Sequence, residues 1–228
     1  MITILPVGGM PEVHPGDEIA ELIAARIDLL DGDVVVVTQK IVSKAEGRLV
    51  KVTDDAARLA LIERESVRIL RRRDELVISE TVHGFVCANA GVDLSNVDEG
   101  VAALLPVDAD RSARHIRDAI KARAGVTVAV VVSDTFGRPW RRGVVDVALG
   151  CAGVAAIVDL RGTKDTRGRT LQATEVAIAD ELASAAELVM GKVRDVPVAL
   201  VRGVEPSWFR ESSVKAEVVR PHTEDLFR

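Results

Sequence analysis

Aromatic residues are nearly missing from this chain, which has four Phe, two Trp and no Tyr among 228 residues. A platform that stacks single-stranded bases needs exposed rings, so the shortage argues against that class of partner. The net charge of −5 points the same way, since nothing draws the chain as a whole toward nucleic acid or anionic lipid. Cysteine is limited to Cys87 and Cys151, both in small or apolar runs without CxxC spacing. With no secretory segment, that usage predicts a reduced, cytoplasmic chain without a disulfide. No apolar run reaches the ~20 residues of a membrane span. The opening residues 1–6 read as a first strand because no basic segment precedes them. Histidine is sparse and scattered, at His14, His83, His115 and His222, with no sign of a Cys–His nucleophile pair. GxSxG, GxxxxGK[ST] and a strand-linked GxGxxG are all absent, and Gly8-Gly9 reads as a turn.

What is present is aliphatic. Hydrophobic residues make up 48% of the chain, and mean hydropathy is +0.19. That is enough Val, Ala, Leu and Ile for one large domain, or two subdomains sharing a core. No linker, low-complexity stretch or repeat divides it. Apolar runs predict strands over 2–5, 34–38, 76–79, 85–88, 127–133, 155–159, 198–202 and 217–219. Helices are predicted over 17–30, 54–72, 110–124 and 174–190. The first carries the stripe Ile19, Leu22, Ile23, Ile27, Leu30; the second ends in the basic run 68–73, suited to a helix C-terminus. Strands and helices mix without regular βαβ spacing, so the fold class is α+β, or irregular α/β. Ala183, Ala185 and Ala186 lie off any single stripe and suggest close packing against a second subunit.

The functional signal lies where apolar strands run out. The run ending in Ser133-Asp134-Thr135 is followed by a Gly-containing loop with Arg138, Arg141 and Arg142. Asp93 and Asn96 follow the run near 86, and Gln39, Lys40 and Lys44 follow the run 34–38. Strand ends hold such side chains rigidly beside mobile loops. Singly, each Asp could merely start a turn, and Lys40, Lys44 and Arg48 could form a solvated face. Together, Asp93, Asp134 and Thr135 are hard oxygen donors suited to Mg²⁺ or Mn²⁺ with a phosphorylated substrate. Lys40 or Lys44 would then neutralise phosphate charge.

Six segments in order carry a family resemblance: LPVGGMPEVHPGD (5–17), TQKIVSKAEGR (38–48), AGVDLSN (90–96), LLPVDADRSARHIR (104–117), SDTFGRPWRRG (133–143) and LVMGK (188–192). They resemble the coenzyme F420-0:L-glutamate ligases, the γ-glutamyl ligases of deazaflavin coenzyme maturation, and the closing RPHTEDLFR has the same look. The resemblance implies a mixed-sheet fold without a P-loop, an intertwined homodimer, and GTP as phosphoryl donor with Mg²⁺ or Mn²⁺ and assisting K⁺. It implies nucleotide contacts from Met10, Pro11, Glu12, Val13, Gln39, Lys44 and Asn96, and from Met190, Gly191, Lys192, Val193, Arg194, Asp195, Val196 and Pro197. Asp93 and Asp134 would hold one divalent ion, with Thr135 at a second. Lys44 and Arg138 are the expected catalytic residues, the first on phosphate and the second, with Arg141 or Arg142, on incoming carboxylates.

Two positions depart from the family pattern: Gln39 stands where some relatives carry Ser, and Lys192 where some carry Gln or Glu. Some relatives continue into a flavin-reductase-like domain, which a chain ending at Arg228 is not expected to include. At the level of sequence two other readings remain open, a metal-dependent phosphohydrolase using the same Asp and Thr set and a non-catalytic deazaflavin-binding module.

Overall fold

A computed structural model describes residues 1–226, so the last two residues of RPHTEDLFR lie outside it. The centre is a five-stranded sheet. In chain order it uses β1 (Thr3–Pro6), β2 (Val34–Thr38), β8 (Ala129–Arg138), β9 (Arg141–Ala152) and β12 (Val198–Arg202), arranged β1-β12-β2-β8-β9. Only β2 and β8 are parallel; the other pairs are antiparallel. The four valines of β2 are buried on both faces, which explains a continuous rather than alternating apolar run. Val35 and Val37 face a cluster with Ile19 and Ile23 of α1 (Ile19–Ala24) and Ile116 and Ile120 of α4 (Ala109–Ala124). Val34 and Val36 face α5 (Ile178–Met190) through Leu182, Ala183, Ala186 and Met190. The result is three layers, helix on sheet on helix.

A smaller unit flanks the sheet. It comprises α2 (Gln39–Ala45), β3 (Leu49–Lys51), α3 (Asp55–Arg64), β4 (Ser66–Arg73), β5 (Leu76–Thr81), β6 (Val86–Ala88) and β7 (Val101–Ala103), with Leu61, Ile62, Val77, Ala102 and Leu104 as its core. A two-residue ladder, β10 (Val158–Asp159) with β11 (Glu175–Val176), and the short helix α6 (Val214–Glu217) complete the named elements.

One junction fixes α4 against β9. Asp110, 5% exposed, accepts hydrogen bonds from the Cys151 N–H, the Val214 N–H, the Ser213 hydroxyl and the Lys215 N–H. It ties three elements together and satisfies the N-terminus of α6. Gly150 permits the contact, because a Cβ there would lie 2.2 Å from the Ala109 carbonyl carbon.

Topology sets the location of the site. β2 and β8 end together, with Thr38 opposite Ser133. β12 is antiparallel to β2 and β1 to β12, so the exit of β1 and the entry to β12 lie at that same end. The Thr38 N–H donates to the Pro197 carbonyl at 2.9 Å, and the Val7 N–H to the Val198 carbonyl at 2.9 Å, which pins both loops there.

The mixed-sheet α+β expectation holds, but several elements differ from the sequence prediction. The helix expected over 54–72 stops at Arg64, and residues 66–73 form β4 instead. Asp74, at φ 53°, turns the chain so that β4 pairs with β5, overriding the reading of the arginines as a helix end. The first helix is confined to Ile19–Ala24; beyond it Asp33, which accepts the Leu30 N–H and pairs with Arg202, directs the chain into β2. The strand expected over 217–219 does not form: Glu217 ends α6, whose N-terminus is capped by the Ser213 hydroxyl, and the chain turns at Val218 and Val219. The strand over 155–159 shrinks to β10, and the helix over 174–190 starts at Ile178 after β11. The basic loop expected after Thr135 is a β-hairpin, since β8 runs on to Arg138 and returns as β9. Cys87 and Cys151 are buried free thiols. Among the described residues, no helix is long and apolar enough to cross a membrane.

Candidate functional site

The β8–β9 hairpin carries the acidic centre. A bulge at the Val132/Ser133 step leaves Leu149 as an extra residue on β9 and changes the phase of the pairing just before Asp134. Bulges near sites commonly re-aim a side chain in this way. From Ser133 onward, Asp134 lies opposite Val147 and Thr135 opposite Asp146. Asp146 is 1% exposed and is held by the hydroxyls of Ser133 (3.1 Å) and Thr135 and by Lys192 Nζ (3.4 Å). Because the Thr135 hydroxyl donates its proton to Asp146, its remaining valence is acceptor only, the form a cation needs. The sequence reading missed Asp146 because β9 was missed. The available signal was a single acid inside the apolar run GVVDVALG.

Asp134 is half-buried and carries the most perturbed acid of the centre. Burial first, then the charges of Asp93 and Asp146, push its carboxyl up to about 7, against the opposing Thr135 N–H and the Lys192 ammonium. Asp134 is thus crowded by two carboxylates, with Lys192 beside Asp146 and Lys40 beside Asp93 as counter-charges. Asp93 sits in the loop after β6, fixed by backbone bonding to Ala103. Burial opposes its ionisation, but Lys40 and the Ser95 N–H hold its carboxyl below the usual range. Lys40 Nζ lies 2.9 Å from Asp93 and 2.7 Å from the Ser95 hydroxyl. Asn96, exposed and at φ 54°, follows directly.

The cationic side of the site comes from α2. Lys44, 7% exposed, forms an ion pair with Glu12, which brings the loop after β1 against the helix after β2. Gln39, 1% exposed, accepts a hydrogen bond from Ser43 through Oε1, while its Nε2 has no partner among the described residues. A buried amide left half-satisfied in this way calls for an acceptor. Met10, Val13 and Met190 are core residues whose side chains serve packing, which leaves their backbone groups as the means of touching a ligand. Pro11, Glu12, Lys192, Val193, Arg194 and Asp195 are exposed; Gly191, Val196 and Pro197 are partly buried. Arg138 is set apart from this group. It lies near the hairpin tip, donating to the Arg142 carbonyl at 2.8 Å, and four residues of strand place it about 13 Å along β8 from Asp134.

A divalent ion fits this donor set. Asp134 combines a raised pKa with two like-charged neighbours, and Thr135 offers an acceptor oxygen. Among the described residues no cluster of three His, Cys, Asp or Glu forms a protein-only cage. Mg²⁺ uses one or two carboxylates and completes its shell with water and phosphate oxygens, so none is required.

Comparison with known proteins agrees with the sequence resemblance. The coenzyme F420:L-glutamate ligase of Methanothermobacter thermautotrophicus is 43% identical, with 100% of this chain and 99% of that protein aligned. Its counterpart in Methanopyrus kandleri is 42% identical over 100% of this chain and 98% of that protein. That of Methanocaldococcus jannaschii is 38% identical over 96% and 94%. Residues 9–203 match the sequence profile described as F420-0:Gamma-glutamyl ligase. A match that spans every segment gathered at the end of β2 and β8 leaves no part of the site outside it, and the chain belongs to the F420-0:gamma-glutamyl ligase family.

Proposed function

We propose that this protein is a GTP-dependent ligase that joins L-glutamate to coenzyme F420-0 through an amide bond. The observation that carries the reading is the meeting of five distant segments at one end of the sheet. They are the loop after β1, the start of α2, the Asp93 loop, the Asp134 strand and the loop 190–197. Ligands of open α/β sheets gather at the carboxyl ends of parallel strands, and β2 and β8 are the parallel pair.

In the proposed reaction the F420-0 carboxylate attacks the γ-phosphorus of GTP. The bond from phosphorus to the bridging oxygen breaks, and GDP leaves with the electron pair. The amine of glutamate, once deprotonated, attacks the resulting acyl phosphate and displaces phosphate as the amide forms. Such chemistry needs positioning and charge neutralisation more than a protein nucleophile, consistent with the scattered histidines. Lys44 would leave Glu12 for the phosphates, and the Gln39 amide would donate to the nucleotide from its buried position. Lys192, already between Asp146 and Glu187 at 3.4 and 3.8 Å, would bring the loop 190–197 over the acidic centre. Asp93, Asp134 and Thr135 would hold Mg²⁺ or Mn²⁺, which supplies charge compensation to the phosphate oxygens.

Nucleotide turnover is the test. Repeated turnover to GDP should require both F420-0 and L-glutamate, with F420-0 alone giving at most one GDP per site as the acyl phosphate forms. Continuous GDP release with water as the acceptor would instead mark a phosphohydrolase, a reading no feature of the site favours.

A further inference from the structure

Two cavities open beside the phosphate-handling groups, and neither is lined by Asp93, Asp134 or Lys44. The first, about 460 Å³, lies between α1, the end of α2 and the first turns of α4, with Ala20, Ala45 and Arg111 on its walls. The second, about 290 Å³, runs on to Phe85, Leu149 and Lys215. Arg48 and Val107 line both, so the two adjoin as one groove. Its size suits a coenzyme-sized ligand.

The charges along this groove are unevenly spent. Every acid on it already has a partner. Asp17 accepts the His14 N–H, Glu18 faces His115, and Glu46 accepts from the Ser112 hydroxyl. Glu65 is held by Arg48 and Arg64, Asp108 caps α4, and Asp110 takes four donors. The cations are less engaged. The side chains of Arg111 and Lys215 make no ion pair or hydrogen bond among the described residues. Arg48 uses Nε on the Leu105 carbonyl and one terminal nitrogen on Glu65, which leaves further N–H groups for a ligand. Six carboxylates line the groove beside these cations, but each is turned to a donor of the protein, so Arg111, Arg48 and Lys215 are the side chains left to meet the anionic groups of an elongated ligand at its two ends and middle.

At both ends the groove is lined by residues that adjoin elements of the reaction centre. Val42 and Ala45 of its wall belong to α2, the helix that carries Gln39, Lys40 and Lys44. At the other end the Phe85 ring packs edge-on against Phe136, with centroids 6.1 Å apart. Phe136 shares a face of β8 with Asp134, about 7 Å along the strand.

We propose that this groove is the acceptor site, holding F420-0 with its phosphodiester and carboxylate groups against Arg48, Arg111 and Lys215. The inference rests on the ligase reading above. Two variants test it away from the phosphate-handling residues. Arg111→Glu combined with Lys215→Glu reverses the spare charge, and Val107→Trp narrows the shared wall at a residue that is 57% exposed. Titration with F420-0, followed by its own fluorescence, should show binding weakened roughly tenfold or more in each variant. The KM for GTP and the melting temperature should stay at wild-type values. Unchanged F420-0 affinity in both variants would overturn the assignment. A raised KM for GTP with F420-0 affinity intact would also overturn it and give the groove to the nucleotide. Failure of the wild type to bind or glutamylate F420-0 would instead remove the ligase reading, and this inference with it.

Discussion

Asp134 carries an energetic conflict between stability and function that can be measured. Its carboxyl is raised from 3.8 to about 7 by burial and by Asp93 and Asp146. The folded, metal-free protein therefore holds a proton there that the unfolded chain releases above pH ~4. Stability from this group should fall as pH rises from about 4 to about 7 and stay low above that. Asp134→Asn removes the titration, so in the presence of chelator at pH 8 it should be more stable than wild type by roughly 1–3 kcal/mol. The gap should close near pH 4, and the variant should be inactive at both. Urea unfolding at the two pH values checks this; equal stability at pH 8 would mean the site is not strained by unbalanced charge. Lys44 is tested by kinetics. Lys44→Ala should slow transfer by about 10²–10³ and raise the KM for GTP, with only partial recovery in Lys44→Arg. A lysine that served only as the partner of exposed Glu12 would leave both parameters near wild type.

At the scale of elements, the Val-rich strand 34–38, the helix over 110–124 and the strand 198–202 were legible because their apolar patterns are long and their caps conventional. Asp108 and Gly125 bracket α4 as Asp and Gly should. The missed elements share a physical cause. β4 carries four arginines and forms a strand through its turn at Asp74 and its partner β5. β9 begins in Arg141-Arg142-Gly143, which reads as loop until β8 is there to pair with it. Missing β9 hid Asp146, while Asp93, Asp134, Thr135 and Lys44 stood out because each follows or extends a recognisable apolar run. The α4–β9 junction makes its own prediction. Gly150→Ala should destabilise the fold by about 3 kcal/mol or more, because backbone atoms of Ala109 and Asp110 occupy the Cβ position. Denaturant unfolding would show it; a loss below about 1 kcal/mol would mean that α4 can shift away from the sheet.

Ala183 and Ala186 of α5, expected to face a second subunit, are buried against this chain's own sheet. The homodimer proposed from the family resemblance would then use other surfaces, and Val144, Leu188 and Val193 are exposed apolar residues that could contribute. Light scattering at micromolar concentration should give twice the 24.4 kDa chain mass; the single-chain mass would contradict a stable dimer.

The most direct test of the central claim, that the cluster at the end of β2 and β8 drives ligation with GTP, is the mass of the product. F420-0 incubated with the protein, GTP, Mn²⁺ and L-glutamate should gain the mass of one or more glutamyl residues, with one GDP released per residue added. Omitting GTP or replacing Asp93 with Ala should abolish the gain. Unmodified F420-0 in the complete reaction, or a glutamyl product formed without GTP, would contradict the account.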